Sequence, residues 1–138
     1  MRCRHSIYFD TSYFNGTGLN KLCNRVAQAI QKSKVRFSVI AFRGVSGSLV
    51  APLVAVKLRK KIAVVRKRSA RSHADRHVEG YLEGNYIIID DFVESGNTCK
   101  AIMRDMDGTC VGIFTYYAYT YTDEEDSVAG VKIFVVKR

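Results

Sequence analysis

The sequence lacks any apolar run close to the roughly 20 residues that a helix needs to cross a bilayer. Its first residues, MRCRHSIYFD, also lack the apolar stretch and the small-residue cleavage site of a secretory signal. Internal repeats, low-complexity segments and interdomain linkers are missing as well. We therefore expect a cytoplasmic protein without membrane contact. Its length of 138 residues predicts a single domain, residues 1–138, with one core.

Metal-binding patterns of cysteine and histidine are missing too. The four cysteines are Cys3, Cys23, Cys99 and Cys110. They include no CxxC pair, and the three histidines have no metal spacing, so the sequence does not predict a zinc site. We interpret the cysteines as reduced thiols.

Lysine and arginine outnumber the acidic residues 22 to 13, which gives a formal net charge of +9. This charge attracts acidic partners, and nucleic acid, phosphorylated metabolites and pyrophosphate all meet that description. On charge alone, residues 57–71 (KLRKKIAVVRKRSAR) favour a solvated basic face or an RNA-binding patch. RNA recognition usually adds exposed aromatic side chains, yet the polar loop over residues 68–84 contains only Tyr81. Nucleic acid is therefore not the expected partner.

Apolar periodicity predicts strands that alternate with helices. The predicted strands are residues 6–9, 35–42, 61–67, 85–90, 110–120 and 131–136, and the predicted helices are residues 19–33, 48–60 and 98–106. Pro52 is expected near the first turn of the second helix. The alternation predicts an α/β, Rossmann-like domain with a mostly parallel sheet flanked by helices. In such a domain, ligands bind beyond the carboxyl ends of the strands.

The segment YIIIDDFVESGNT, residues 86–98, joins an apolar strand to two adjacent acids and a small-residue turn. The turn leads into a predicted helix, whose free N–H groups and dipole suit a phosphate, and Gly96 allows the backbone to curl around it. Carboxylates repel phosphate, so Asp90 and Asp91 must face another part of the ligand. Sugar hydroxyls or a bound Mg²⁺ would suit them. Together these features indicate a sugar phosphate.

Residues 87–98, IIIDDFVESGNT, resemble the phosphoribosyl pyrophosphate (PRPP) motif of the type I phosphoribosyltransferases. That motif is an apolar strand, two acids, three variable positions, Ser or Thr, Gly, a variable residue, and Ser or Thr. The resemblance implies that Asp90 and Asp91 hold the ribose hydroxyls and bind Mg²⁺ through water. It implies a PRPP-binding set of Asp90, Asp91, Glu94, Ser95, Gly96, Asn97 and Thr98, in which the last five wrap the 5′-phosphate. Glu94 is also a catalytic candidate, with Asp90 and Asp91. The alternative is an acid pair that serves only as turn and helix cap.

The resemblance extends to two basic segments that are predicted to bind pyrophosphate. The first is a glycine turn after a strand, and the predicted residues are Arg43, Gly44, Val45, Ser46 and Gly47. The second, VVRKRSARSHADRHVEGYLEG, resembles the basic loop of orotate phosphoribosyltransferases. It implies pyrophosphate contacts from Arg66 and Lys67, and catalytic roles for Arg71 and His73 in a lid over the site. Glycine turns of this kind also occur in α/β domains without such a role.

These resemblances predict a Mg²⁺-dependent enzyme that transfers ribose 5-phosphate from PRPP to a nucleobase and releases pyrophosphate. The basic loop resembles orotate enzymes whereas Glu94 favours an oxopurine, so orotate and purines both remain acceptors. A homodimer is implied, and the hood that selects the base is predicted to be minimal or absent. The alternatives are a PRPP- or nucleotide-binding regulatory module without activity and a receiver-like or phosphatase domain. The aromatic residues Tyr13, Phe14, Tyr116, Tyr117, Tyr119 and Tyr121 could stack on a base, although packing is the more common role of such residues.

Overall fold

The computed structural model describes residues 14–67, 77–117 and 126–137, in which helices and strands alternate as predicted. The elements in chain order are α1 (Gly16–Ser33), β1 (Val39–Phe42), α2 (Gly44–Leu58), β2 (Lys61–Val65), β3 (Val78–Gly80), β4 (Asn85–Asp90), α3 (Asn97–Asp105), β5 (Thr109–Thr115), β6 (Ser127–Val128) and β7 (Val131–Val135). The predicted strand at residues 6–9 lies outside the described residues. Within them, no helix is both long and apolar enough to span a membrane.

The strands form one sheet in the order β3-β2-β1-β4-β5-β7-β6. The five central strands, from β2 to β7, run parallel, whereas β3 pairs antiparallel with β2 and β6 pairs antiparallel with β7. The predicted mostly parallel α/β sheet is therefore confirmed. Because β1 and β4 are parallel neighbours, the segments that follow them leave the sheet at the same edge.

Side chains from the two faces of the sheet form two apolar clusters. One cluster combines Ile40 and Ile87 with α1 and α2, and the other combines Val39 and Ile88 with α3. Successive residues of a strand point to opposite faces, so a strand covered on both faces must be apolar throughout. This explains the unbroken run in β4, which ends in the buried acid Asp90.

Helix α2 begins at Gly44, so the expectation of a turn followed by a helix from residue 48 was wrong. Gly44 has a φ of +74°, which lets the chain turn from β1 directly into the helix. Gly47 lies inside the helix, and a Cβ atom there would be 2.8 Å from the Cβ of Phe42. Pro52 also lies in the helix interior rather than near its first turn, so the helix lacks the hydrogen bond that an N–H at this position would donate.

Several strand boundaries differ from the sequence predictions. Strand β1 begins only at Val39, β2 ends at Val65, and β5 ends at Thr115. Two short strands, β3 and β6, lie in segments that were predicted to be loops. Both are edge strands of two or three residues, and pairing with a neighbouring strand defines them rather than an apolar pattern of their own.

Candidate functional site

A cavity of about 480 Å³ lies beyond the carboxyl ends of the parallel strands. Its lining consists of Arg43, Gly44, Val45, Ser46, Lys67 and residues 90–99. Segments that are far apart in the sequence meet here because β1 and β4 are adjacent and parallel. The cavity therefore contains both the acidic pair with its turn and the glycine segment after β1.

Some residues predicted for the site do not line this cavity. Gly47 is a buried residue of α2, where the absence of a side chain allows the helix to approach Phe42 of β1 closely. Arg66 forms an ion pair with Glu79 of β3 and does not line the cavity. Arg71 and His73 lie outside the described residues. Among the described residues of the second basic segment, Lys67 is the one that lines the cavity.

Asp90 is buried at the end of β4, with 7% of its surface exposed. Its Oδ1 accepts a hydrogen bond of 2.7 Å from the Ser46 hydroxyl and one of 2.9 Å from the Asp91 N–H. The pKa of Asp90 is raised to about 7, mainly by burial and in part by the neighbouring Asp91 side chain, while the hydrogen bond from Ser46 opposes the rise. Hydrogen-bond donors or a cation from a ligand would therefore stabilise the ionised form of the Asp90 carboxyl group.

Asp91 is equally buried, at 6% exposure, and its Oδ1 accepts a 2.8 Å hydrogen bond from the Phe92 N–H. The two residues that follow β5 hold the backbone of both acids through hydrogen bonds. Tyr116 N–H donates to the Asp90 carbonyl at 3.2 Å, and Tyr117 N–H donates to the Asp91 carbonyl at 2.7 Å. Two carboxylates are thereby held rigidly at the cavity wall.

Residues 94–98, which follow the two acids in the cavity lining, form the turn that leads into α3. Gly96 is the N-cap of α3 and has a φ of +81°, a left-handed conformation that favours glycine. The first turn of α3 contains no acidic residue, so no negative side chain there opposes an anion at the positive end of the helix dipole. The Asn97 N–H donates a 3.3 Å hydrogen bond to the Ser95 hydroxyl, which holds the turn in place. This geometry suits a phosphate group.

Arg43 and Lys67 supply positive charge to the same cavity. The Nε atom of Arg43 is buried and, among the residues that the structure describes, is without a hydrogen-bond partner. A buried N–H donor without a partner is costly, and an anionic ligand would satisfy it. The cavity thus combines two acids, a phosphate-type turn and two cations.

The donor set can be tested against the Mg²⁺ ion that the sequence resemblance implies. In the described parts of the chain no three residues of the His, Cys, Asp and Glu types come together. Asp90 and Asp91 alone would make an incomplete metal site. Mg²⁺ usually keeps several waters and binds through one or two carboxylates together with substrate phosphates, so the pair fits an ion that arrives with a pyrophosphate ligand.

Tyr116 was named from the sequence only as a residue that could stack on a base or pack, and the structure gives it a different, specific contact. Its ring is 3% exposed and packs in the core, which confirms packing rather than base stacking for this tyrosine. Its hydroxyl donates a 2.8 Å hydrogen bond to the Ser46 carbonyl. Phe92, Val93 and Cys99 also line the cavity, and only their position beside the motif could have indicated this.

No family model matches the chain, but curated proteins do. An orotate phosphoribosyltransferase of Haemophilus ducreyi is 28% identical over 105 residues, which cover 70% of this chain and 49% of that protein. An orotate phosphoribosyltransferase of Pseudomonas syringae pv. tomato is 29% identical over 117 residues, covering 77% of this chain and 55% of the relative. The chain thus spans about half the length of the curated relatives it matches.

Solved structures share the fold over most of the chain. Orotate phosphoribosyltransferase from Aeropyrum pernix superposes with a TM-score of 0.74 at 15% identity, covering 97% of this chain and 80% of that one. Adenine phosphoribosyltransferase from Thermoanaerobacter pseudethanolicus gives a TM-score of 0.70 at 16% identity, with 91% and 83% covered. At these identities the likeness establishes the fold.

Proposed function

We propose that the chain is a member of the type I phosphoribosyltransferase family and that it transfers ribose 5-phosphate from PRPP to a nucleobase with release of pyrophosphate. The observation that carries the proposal is the meeting of three features in one cavity. These are the acid pair at the end of β4, the anion-binding turn before α3, and the cations Arg43 and Lys67. PRPP presents hydroxyls, a 5′-phosphate and a pyrophosphate, and each has a complementary partner in this cavity.

Each part of the cavity then has a role in the reaction. Asp90 and Asp91 accept hydrogen bonds from the ribose hydroxyls, and residues 94–98 bind the 5′-phosphate. The bond between C1 of the ribose and the pyrophosphate oxygen breaks, and a bond forms between C1 and a ring nitrogen of the base. Arg43 and Lys67 stabilise the negative charge that develops on the leaving pyrophosphate. Catalysis therefore depends on positioning and charge stabilisation, without a protein nucleophile.

Mg²⁺ belongs to this proposal as the ion that arrives with PRPP. Asp90 and Asp91 would hold it, directly or through water, and it would neutralise pyrophosphate charge when bound. A cation bound beside Asp90 would favour its ionised form and so oppose the effect of burial, which raises the pKa of this carboxyl. Arg71 and His73 stay sequence predictions for a lid, and Glu94, which is exposed at the cavity, stays a candidate for handling a proton on the base.

Orotate is the acceptor that we expect first, because the curated relatives are orotate enzymes. Purines remain the alternative. We also propose a homodimer, since the lid of the family that the basic loop resembles often reaches a neighbouring subunit. Light scattering coupled to size-exclusion chromatography would measure the mass, and a monomer at micromolar concentration would contradict the dimer.

The test of the activity is to incubate the protein with PRPP, Mg²⁺ and a panel of nucleobases that includes orotate, adenine and oxopurines. Pyrophosphate release and nucleotide formation are measured with each base supplied singly, and a reaction without any base is the control. We expect turnover with one base and none in the double variant Asp90→Asn, Asp91→Asn, because that variant loses both carboxylates. Saturable PRPP binding without turnover on any base would contradict the enzyme. Absence of PRPP binding would contradict the site assignment itself.

A regulatory module that binds PRPP without transferring it is the second candidate. The base panel separates the two candidates, because a module would bind PRPP and release no pyrophosphate. In the enzyme, Arg71→Ala is expected to slow turnover and leave PRPP affinity nearly unchanged; in the module it would have no turnover to change.

A further inference from the structure

Ser46, Asp90 and Tyr116 form a closed triangle of hydrogen bonds at the cavity wall. The Ser46 hydroxyl donates to Asp90 Oδ1 at 2.7 Å, and the Tyr116 hydroxyl donates to the Ser46 carbonyl at 2.8 Å. The Tyr116 N–H closes the triangle by donating to the Asp90 carbonyl at 3.2 Å. Each residue therefore contacts both others, and the three come from α2, the end of β4 and the residue after β5.

The first turn of α2 has no side-chain cap at its N-terminus. Its N-cap residue, Arg43, makes no capping hydrogen bond with its side chain, and Gly44 has the open, left-handed conformation. Near this turn, Tyr116 is anchored in the core by its buried ring. The triangle ties this turn to the ends of β4 and β5, which are fixed by the sheet.

We propose that Ser46 and Tyr116 are positioning residues, which hold the Asp90 carboxylate and the first turn of α2 in one arrangement for PRPP. This inference rests on the proposed function. It also assigns the Ser46 hydroxyl to Asp90. Pyrophosphate would then be bound by the backbone N–H of Ser46 rather than by its side chain. The ribose side and the pyrophosphate side of the site are thereby coupled through a single serine.

The prediction is tested with the variants Ser46→Ala, Ser46→Thr and Tyr116→Phe and the matched control Ser48→Ala. Ser48 lies on the same helix, and its hydroxyl donates a 2.7 Å hydrogen bond to the Gly44 carbonyl, but it does not line the cavity. PRPP affinity is measured by isothermal titration calorimetry in the presence of Mg²⁺. We expect Ser46→Ala to lose about tenfold in affinity, as for one hydrogen bond to a charged group.

The other variants make the role specific. Ser46→Thr keeps the hydroxyl and should bind within about threefold of the parent protein, since a hydrogen bond rather than a volume is required. Tyr116→Phe keeps the ring and should lose roughly three- to tenfold, the effect of one neutral hydrogen bond. Ser48→Ala should bind like the parent. Equal losses in Ser46→Ala and Ser48→Ala would overturn the proposal, because they would indicate general weakening of the helix.

A measurement without PRPP tests the contact itself. In a double-mutant cycle of Ser46→Ala with Asp90→Ala, followed by chemical unfolding, the two changes should couple by about fivefold or more in the unfolding equilibrium constant. Independent effects would overturn the contact. If the parent protein fails to bind PRPP, the proposed function falls, and the positioning role for PRPP with it. If the parent binds PRPP and Ser46→Ala binds equally well, only the positioning role falls.

Discussion

Replacement of Asp90 by Asn should stabilise the ligand-free protein at neutral pH while it weakens PRPP binding. Asp90 is almost fully buried, and burial together with the neighbouring Asp91 raises its pKa from 3.8 to about 7. Ionising this carboxyl in the folded protein is therefore unfavourable. A difference of about three pKa units corresponds to roughly 4 kcal/mol of unfolding free energy, of which we expect the variant to regain about 2 kcal/mol or more.

The sign of the effect sets its pH window. Below about pH 4 the carboxyl of Asp90 is protonated in both the folded and the unfolded chain, so ionisation costs nothing. As the pH rises from about 4 to 7, the unfolded chain releases its proton and the folded one retains it, so the folded state loses stability relative to the unfolded state. Above pH 7 the cost is constant. Asn is neutral throughout and its carbonyl can still accept the Ser46 hydrogen bond, so its advantage should grow across this window.

Chemical and thermal unfolding between pH 4 and pH 8, in a chelating buffer without ligand, would measure this advantage. For a chain of this size, each 1 kcal/mol shifts the melting temperature by about 3 to 4 °C. Asp107→Asn is the matched control, because Asp107 is exposed. An advantage for Asp90→Asn that is the same at pH 4 and pH 8 would refute the reasoning about burial. Unchanged PRPP affinity in the variant would refute the assignment of Asp90 to the ribose.

Three further predictions concern the remaining parts of the site. Gly96→Ala should destabilise by about 1–2 kcal/mol in chemical unfolding and weaken PRPP binding, because φ is +81° there, whereas Gly16→Ala, with open space around it, should not. Arg43→Gln should bind pyrophosphate about tenfold more weakly in calorimetry, with Arg36→Gln as the exposed control; equal affinities would contradict the role of Arg43. Cys99, whose pKa burial raises to about 12, should resist iodoacetamide at pH 8 in peptide mapping until the protein unfolds, and rapid native labelling would contradict its burial.

The fold was largely predictable because the strands that decide it carry a strong apolar signal. Strand β4 is covered on both faces, so burial requires the unbroken run from Tyr86 to the acids. The edge strands β3 and β6 carry no such signal, since pairing with a neighbour defines them. The start of α2 was mispredicted for a related reason. The glycines in RGVSG suggest a turn, but Gly47 is required by the close contact of the helix with Phe42.

The candidate site was predictable where one short segment contains it. In residues 90–98 the acids and the anion-binding turn are adjacent in sequence, so their spacing alone indicates a sugar phosphate. Contacts between distant segments could not be predicted in this way. The ion pair of Arg66 with Glu79 and the hydrogen bond of Tyr116 with Ser46 depend on the pairing of strands and on the path of α2.

The two buried acids place a physical constraint on what the cavity binds. Without a ligand, the Asp90 carboxyl, whose pKa is raised to about 7 by burial and by the neighbouring Asp91, lowers the stability of the folded protein at neutral pH. Hydroxyl donors and a cation would remove this cost, whereas a lone phosphate would add to it. The anion-binding turn before α3 and Arg43 favour a phosphate and a pyrophosphate. A ligand that carries hydroxyls between two anionic groups can contact the acid pair and the anion-binding groups at the same time. Inorganic phosphate alone should therefore bind far more weakly than PRPP.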